Sequence, residues 1–276
     1  MIFETHAHYD DKAFDEDREA LLASLSDQGI RRVINVGASI ESTKTTLALA
    51  QTHENIYAAV GVHPSDIEGL NEETYAWLKE QARKPKTVAI GEIGLDYYWD
   101  KEAEVQEQQR HWFKRQLDLA VECQLPVIIH SRDAAEDTMR ILKEFGRWTI
   151  NGHMAADTSQ QDGETQVCGV IHCYSYSPEM AREFVKMGYY IGVGGVVTFK
   201  NAKKLKETVQ EIPLERILLE TDCPYMAPEP NRGKRNYSGY IPYVVEKIAE
   251  LKDVSTEEVE RVTWDNAMRL FTKVQP

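Results

Sequence analysis

Short runs rich in Val and Ile recur along this chain, covering residues 2–8, 32–38, 56–63, 87–95, 126–130, 169–173, 189–197 and 216–221. Most are apolar at consecutive positions rather than at every second one, the mark of strands buried on both faces of a parallel sheet. The stretches between them carry a helical pattern. In residues 102–123, Trp112, Phe113, Leu117, Leu119, Ala120 and Val121 form a broad apolar stripe along one predicted helix. Ser177-Pro178-Glu179 supplies an N-cap, a proline suited to the first helical position and an early acid, and Gly188 closes that helix. Ser255 with Glu258 three residues on predicts a capping box ahead of the last helix. Alternating strands and helices imply right-handed crossovers. Eight such units predict closure into a (β/α)8 TIM barrel, with a doubly wound open sheet as the alternative that the pattern leaves standing.

Two stretches break the rhythm. Residues 148–167 end in a polar tract and contain Asn151-Gly152, a hairpin-like turn signal, so they are expected to be a loop insertion. Residues 227–239, rich in Pro, Gly, Arg and Lys, predict a long loop. No internal repeat or low-complexity segment appears, so residues 1–276 are expected to form one barrel domain; such a barrel takes about 250 residues. The 32 basic and 45 acidic side chains leave a formal net charge of −13. That balance excludes a general polyanion coat-binder, though not a nuclease that grips a few phosphates beside a metal centre. Cys123, Cys168, Cys173 and Cys223 are scattered without a C-x-x-C pair, as expected of a reduced protein. With no basic or apolar leader in the first residues and no long apolar run, a cytoplasmic protein with no membrane association is expected. Nothing in the sequence calls for an obligate protein partner.

The candidate chemistry lies where strands end. His6 and His8 stand two apart on a predicted strand, so both imidazoles share a face and can reach one ion. Alone, such a pair is commonly incidental. Glu92 closes Val88-Ala89-Ile90-Gly91, His130 closes Val127-Ile128-Ile129, His172 follows Val170-Ile171, and Asp222 follows Ile217 to Thr221. His63 ends Val60-Gly61-Val62 in the same manner. Barrel active sites are built at the C-terminal ends of strands. Any one of these residues fits a satisfied core histidine or a helix-capping carboxylate. Collecting them all at one end of a barrel needs a compensating cation, because buried ionisable groups are unfavourable unless paired or metal-bound. Four histidines and two carboxylates are also what a two-metal hydrolytic site requires.

The segments Thr5-His6-Ala7-His8, Gly61-Val62-His63-Pro64, Ala89 to Tyr97 with Glu92 at its centre, His130-Ser131-Arg132-Asp133-Ala134, His172-Cys173-Tyr174-Ser175 and Leu219 to Tyr225 around Asp222 resemble the TatD family of metal-dependent deoxyribonucleases. Order and spacing match along essentially the whole chain. The resemblance implies an amidohydrolase-type barrel with two divalent cations, magnesium first, with zinc, manganese or nickel as alternatives. It implies that His6, His8 and Asp222 hold one metal, that His130 and His172 hold the second, and that Glu92 bridges them. It implies hydrolysis of DNA phosphodiesters, with single strands or strand ends as substrate and exonuclease action as one mode. Two departures bear on substrate shape and access: Tyr176 stands where the family usually has Gly, and the 148–167 stretch is longer than the family norm. His153 within it is expected at the surface.

In the mechanism this implies, Asp222 orients or deprotonates the attacking water while the metals neutralise charge on the phosphoryl group. His63 and Arg132 are candidate phosphate contacts, and Arg offers a planar fork for phosphate oxygens. An ion pair of Arg132 with Asp133 or Glu136 is the plainer reading. Arg232, Lys234 and Arg235 crowd the loop after the eighth strand, a common place for phosphate in this fold. Lys200, Lys203, Lys204 and Lys206 fit a solvated helix face equally well. Glu220 and Cys223 flank Asp222, and either orient it or pack. The rival readings are a D-aminoacyl-tRNA deacylase or other ester hydrolase on the same metal site, a C–N hydrolase, and an inactive scaffold. Many barrels of the C–N type bridge their metals with a carboxylated lysine on strand four, where this chain has Glu92. The scaffold reading sits poorly with a complete ligand set.

Overall fold

A computed structural model describes residues 1–145 and 169–275 of the chain. Eight strands pair in sequence order, each parallel to the next. They are β1 (Ile2–Ala7), β2 (Ile30–Val36), β3 (Ile56–Val60), β4 (Thr87–Asp96), β5 (Val127–Arg132), β6 (Gly169–Ile171), β7 (Tyr190–Val193) and β8 (Ile217–Leu219). The helices that alternate with them are α1 (Arg18–Ser24), α2 (Ile40–Thr52), α3 (Glu72–Ala82), α4 (Ala103–Cys123), α5 (Ala135–Phe145), α6 (Pro178–Lys186), α7 (Lys203–Glu211) and α8 (Ile241–Lys252), and α9 (Thr256–Leu270) follows. This is the (β/α)8 barrel, and the open-sheet alternative falls. The seam between first and last strands is short: Ala7 pairs with Cys223, His8 N donates to Cys223 O at 3.0 Å, and Asp222 N donates to His6 O at 3.0 Å. None of the described helices is long and apolar enough to cross a membrane.

The strand centres match the apolar runs, but several ends differ for local reasons. The run 56–63 stops being a strand at Val60, because Gln116 on α4 takes over the Val62 backbone, accepting from its N–H at 2.8 Å and donating to its carbonyl at 3.1 Å. Pro64 then opens a 3₁₀ turn. The run 189–197 likewise ends at Val193, and residues 195–198 form a 3₁₀ turn instead of strand. A Cβ at Gly195 would collide with the backbone of Met226 and Pro228, so glycine lets these two segments meet. Thr198 Oγ1 fastens the turn, donating to Gly195 O and accepting from Glu229 N. At the start of α9 only half of the expected capping box forms: Ser255 Oγ accepts from Glu258 N at 3.2 Å, while the Glu258 carboxylate is drawn to Arg261. The expected loop over 227–239 is largely irregular, as read. The insertion 148–167 with His153, and Cys168, lie outside the described residues.

What positions the site is the layering inside the barrel. Ile128, Val170 and Leu218 each stand two residues before His130, His172 and Glu220, so strand alternation puts all six on one face. With Ile34, Tyr57 and Tyr190 these apolar residues form a buried cluster that meets Leu270, Phe271 and Val274 at the end of α9. The lower interior is therefore dry, packed and stoppered by α9. The polar residues are confined above it, at the C-terminal rim.

Candidate metal centre

Glu92 is the hub. From the middle of β4, its carboxylate lies 2.8 Å from His130 Nδ1, 2.9 Å from His172 Nε2, 3.5 Å from His6 Nε2, 3.6 Å from His8 Nε2 and 3.8 Å from His63 Nε2. Burial pushes this carboxyl up, but the imidazoles of His172, His63 and His130 outweigh it and hold Glu92 well below the usual range. The rings respond in kind. His8 is pulled down by burial and raised more strongly by Asp222 and Glu92, to about 9. His172 and His130 are likewise raised against burial, by Glu92 with Glu220 and by Asp96 with Glu92 respectively. His6 is lowered by burial and by its neighbour His172, with which it stacks at 3.8 Å.

The donor set fits a bound cation. His6 Nε2 and His8 Nε2 face each other at 3.0 Å, with Asp222 Oδ1 3.6 and 3.3 Å away and Glu92 beside them. Two ring nitrogens turned toward one another among carboxylate oxygens are the kind of donor cluster that a cation gathers. His8 Nδ1 donates to Val36 O at 2.8 Å, so in the neutral ring the lone pair is on Nε2, the tautomer a metal ligand needs. His6, His8 and Asp222 have their ligand atoms within 4.8 Å of one another, as do His6, His172 and Glu220, and as do His63, Glu92 and His130. In the last trio His63 is the exception. Its Nδ1 accepts from Ser65 N at 3.1 Å, so its Nε2 carries the hydrogen and is a donor rather than a ligand atom. Burial lowers its pKa to about 4, which keeps the ring neutral.

Every residue expected at the metal centre thus lies around one cavity of about 590 Å³ or directly beneath it. The cavity is lined by His8, His63, Glu92, His130, His172 and Asp222, with Arg132 at its side. The ion pair considered for Arg132 does not form: among the described residues no carboxylate comes within 4.0 Å, and the guanidinium instead lies over the Tyr98 ring, 4.0 Å from its centroid. The basic loop is different. Arg232 lies over Phe199, Lys234 Nζ donates to Asn231 Oδ1, and Arg235 grips both oxygens of Asp17 at 2.8 and 2.6 Å. None of the three lines the cavity. Arg235 is a clasp between this loop and the start of α1, with its fork already filled, so the expected phosphate contact is not open to it. Lys206 Nζ donates to Phe199 O, and Lys203 and Lys204 are exposed.

Two site residues, Asp96 and Glu4, escaped the sequence reading, and a third, Glu220, was left there between two roles. Asp96, the last residue of β4, accepts from His130 Nε2 at 3.1 Å through Oδ2, while Oδ1 accepts from the N–H groups of Tyr98 and Trp99. Glu220 turns inward and accepts from Cys173 N at 2.6 Å, 3.7 Å from His172 Nδ1, so of the two readings for it, orientation of the site holds rather than packing alone. Glu4 stands fully buried beneath His6. Its Oε1 accepts from His6 N and Thr221 N, and Ser238 Oγ bonds its Oε2 at 3.0 Å. Two-residue spacing from Glu92 through 94 to Asp96, and from Glu4 to His6 to His8, was the available signal. The departure at Tyr176 also has a role: its hydroxyl bonds Ser131 Oγ at 2.9 Å and accepts from Ala134 N, bracing the turn that carries Arg132.

Glu4 yields a stability prediction. Burial pushes its carboxyl from 4.5 up to about 8. Between those values the folded chain holds a proton that the unfolded chain has lost, so this group's contribution to stability falls as pH rises. Glu4→Gln keeps the acceptor oxygen and cannot ionise. Its melting temperature, relative to the parent, should therefore rise from pH 5 to pH 8. Glu4→Leu strands two buried N–H donors and should cost about 1–3 kcal/mol for each. A variant-minus-parent difference for Glu4→Gln that is flat with pH would refute the assignment of a neutral Glu4.

A ring of imidazoles and carboxylates on the C-terminal rim of a (β/α)8 barrel, shaped to hold divalent metal, defines the class as a metal-dependent hydrolase. The family model described as TatD related DNase matches residues 3–272, and the chain belongs to that family. It is 44% identical to the uncharacterized metal-dependent hydrolase YabD of Bacillus subtilis, over 98% of this chain and 99% of the relative. It is 33% identical to YcfH of Escherichia coli, also an uncharacterized metal-dependent hydrolase, over 98% and 96%. The crystal structure of YjjV, a TatD homolog from Escherichia coli K12, superposes with a TM-score of 0.86 at 32% identity, covering 98% of each chain.

Proposed function

We propose that this hydrolase cleaves DNA phosphodiester bonds, acting on single strands or strand ends with two divalent cations, magnesium foremost. The observation that carries the proposal is the Glu92 carboxylate ringed by five imidazoles, with Asp222 facing two of them across the seam. His6, His8 and Asp222 would hold one cation, His130 and His172 the other, and Glu92 lies between the two sets. When bound, the cations acidify the attacking water and neutralise charge gathering on the phosphoryl oxygens. The chain's own residues do the rest. Asp222 is kept ionised by His8 against the upward push of burial, so it can take the proton of the attacking water. His63 presents Nε2–H toward the centre, a neutral donor for a phosphoryl oxygen. Arg132 lines the cavity with a fork that no carboxylate among the described residues occupies. Asp10, Asp11 and Asp66 also line it and repel a long polyanion, which favours engagement of few phosphates.

The test is a time course on end-labelled single-stranded DNA with Mg2+, with and without chelator. Metal-dependent shortening supports the reading, and the ladder gives the direction of attack. If the protein carries metal while the DNA stays intact, the nuclease reading fails, and D-aminoacyl esters and amides become the substrates to examine.

A further inference from the structure

The structure shows an aromatic platform beside the metal centre that the hydrolytic chemistry does not use. Tyr98 is 43% and Trp99 67% exposed, and no other Trp among the described residues is an exposed side chain. Their rings meet edge to face at 4.7 Å. The Arg132 guanidinium lies 4.0 Å from the Tyr98 centroid and 5.5 Å from that of Trp99, and Arg132 lines the cavity. Large aromatic surface left in water has a cost that folding normally removes. Here it is held outward by design of the backbone. Asp96 Oδ1 accepts from the N–H of both aromatic residues, at 3.0 and 3.1 Å, while its other oxygen bonds His130. One carboxylate therefore fixes the platform and a metal-centre imidazole to each other. The far side of the turn is pinned as well, since Asp100 Oδ2 accepts from Gln109 Nε2 at 2.8 Å and from Ser65 Oγ at 3.3 Å. Arg132 is steadied through the Tyr176 brace on its own turn.

We propose that Tyr98, Trp99 and Arg132 form a stacking subsite for an unpaired nucleobase next to the phosphodiester being cleaved. Guanidinium and aromatic planes are the surfaces on which single-stranded bases stack, and every base offers a π face, so the subsite would be tolerant of sequence. The platform selects against duplex interiors, because a paired base is already stacked. This proposal rests on the deoxyribonuclease reading and deepens it.

The experiment compares the metal-loaded enzyme on two single-stranded oligomers of equal length and backbone, one of deoxyadenosine units and one of base-less tetrahydrofuran units. A stacked base is worth about 1–3 kcal/mol, so the unsubstituted enzyme should prefer the base-bearing oligomer in kcat/KM by roughly 5-fold to 150-fold. Trp99→Ala should collapse that preference, chiefly through KM, and Trp99→Tyr should restore most of it. Because Trp99 is exposed, neither change touches the core. A preference unaltered in Trp99→Ala overturns the platform, as does an equal loss on both oligomers, and either result leaves the nuclease reading intact. If the unsubstituted enzyme cleaves neither oligomer, the nuclease reading falls and the platform with it, an outcome that does not involve Trp99 at all.

Discussion

Glu92→Ala should reduce turnover of single-stranded DNA by more than about 10⁴-fold, the upper end of what one positioned acid–base group contributes. The loss exceeds a single-group effect because Glu92 supports the whole centre. The raised pKa values of His8, His130 and His172 all draw on its charge. Without it those rings face one another with no shared counter-charge, and the two proposed sets of ligands would lose the carboxylate between them. Bound metal should fall with activity, measured by elemental analysis of the purified variant. The far-UV circular dichroism should stay that of the parent, since the packed layer beneath the site involves Ile128, Val170 and Leu218 rather than Glu92. Near-normal turnover in Glu92→Ala would sink the two-metal proposal.

Asp222→Asn is expected to lower kcat by about 10²–10⁴-fold, the range for a general base. The substitution keeps the shape and one acceptor oxygen but removes the charge. It also respects the backbone, because Asp222 sits at φ +56, and Asn tolerates that left-handed region as well as Asp does. The variant should therefore fold as the parent does, and a thermal melt within a few degrees of the parent checks this. Titrating metal back into the variant separates the two duties of Asp222. If saturating metal restores full turnover, Asp222 serves only as a ligand and the proton goes elsewhere. If occupancy returns and turnover does not, the carboxylate takes the proton.

Much of this arrangement is legible in the sequence, for a physical reason. Strands buried on both faces must be continuously apolar, so a polar residue that interrupts or follows such a run stands out: Glu92 and His130 interrupt β4 and β5, and His172 and Asp222 follow β6 and β8. Element ends were less legible. Val62 is paired by the Gln116 side chain rather than by a neighbouring strand, and no local pattern announces a partner fifty-four residues away. The chain turns at Gly195 because another segment crosses there, which is also a long-range fact. Glu4, Asp96 and Glu220 share strand faces with ligands, so their direction was readable, but what their carboxylates would grasp was not. Arg235 misled for the opposite reason: a basic residue signals phosphate only when its partner is not already in the chain, and Asp17 lies 218 positions away.

The short seam between β1 and β8 has a consequence for when the protein is able to act. His6 and His8 are among the first residues of the chain, and Asp222 arrives only with the last strand. Their nitrogen and oxygen atoms come within 3.3 to 3.6 Å of one another only where the seam closes. A chain cut or stalled before that strand has seven strands, most of a hydrophobic interior and a ring of imidazoles with Glu92 that lacks Asp222. Hydrolytic competence is therefore not graded with chain length but withheld until the ring is shut. An unfinished or clipped copy of this metal-dependent hydrolase is disarmed by topology alone, without an inhibitor.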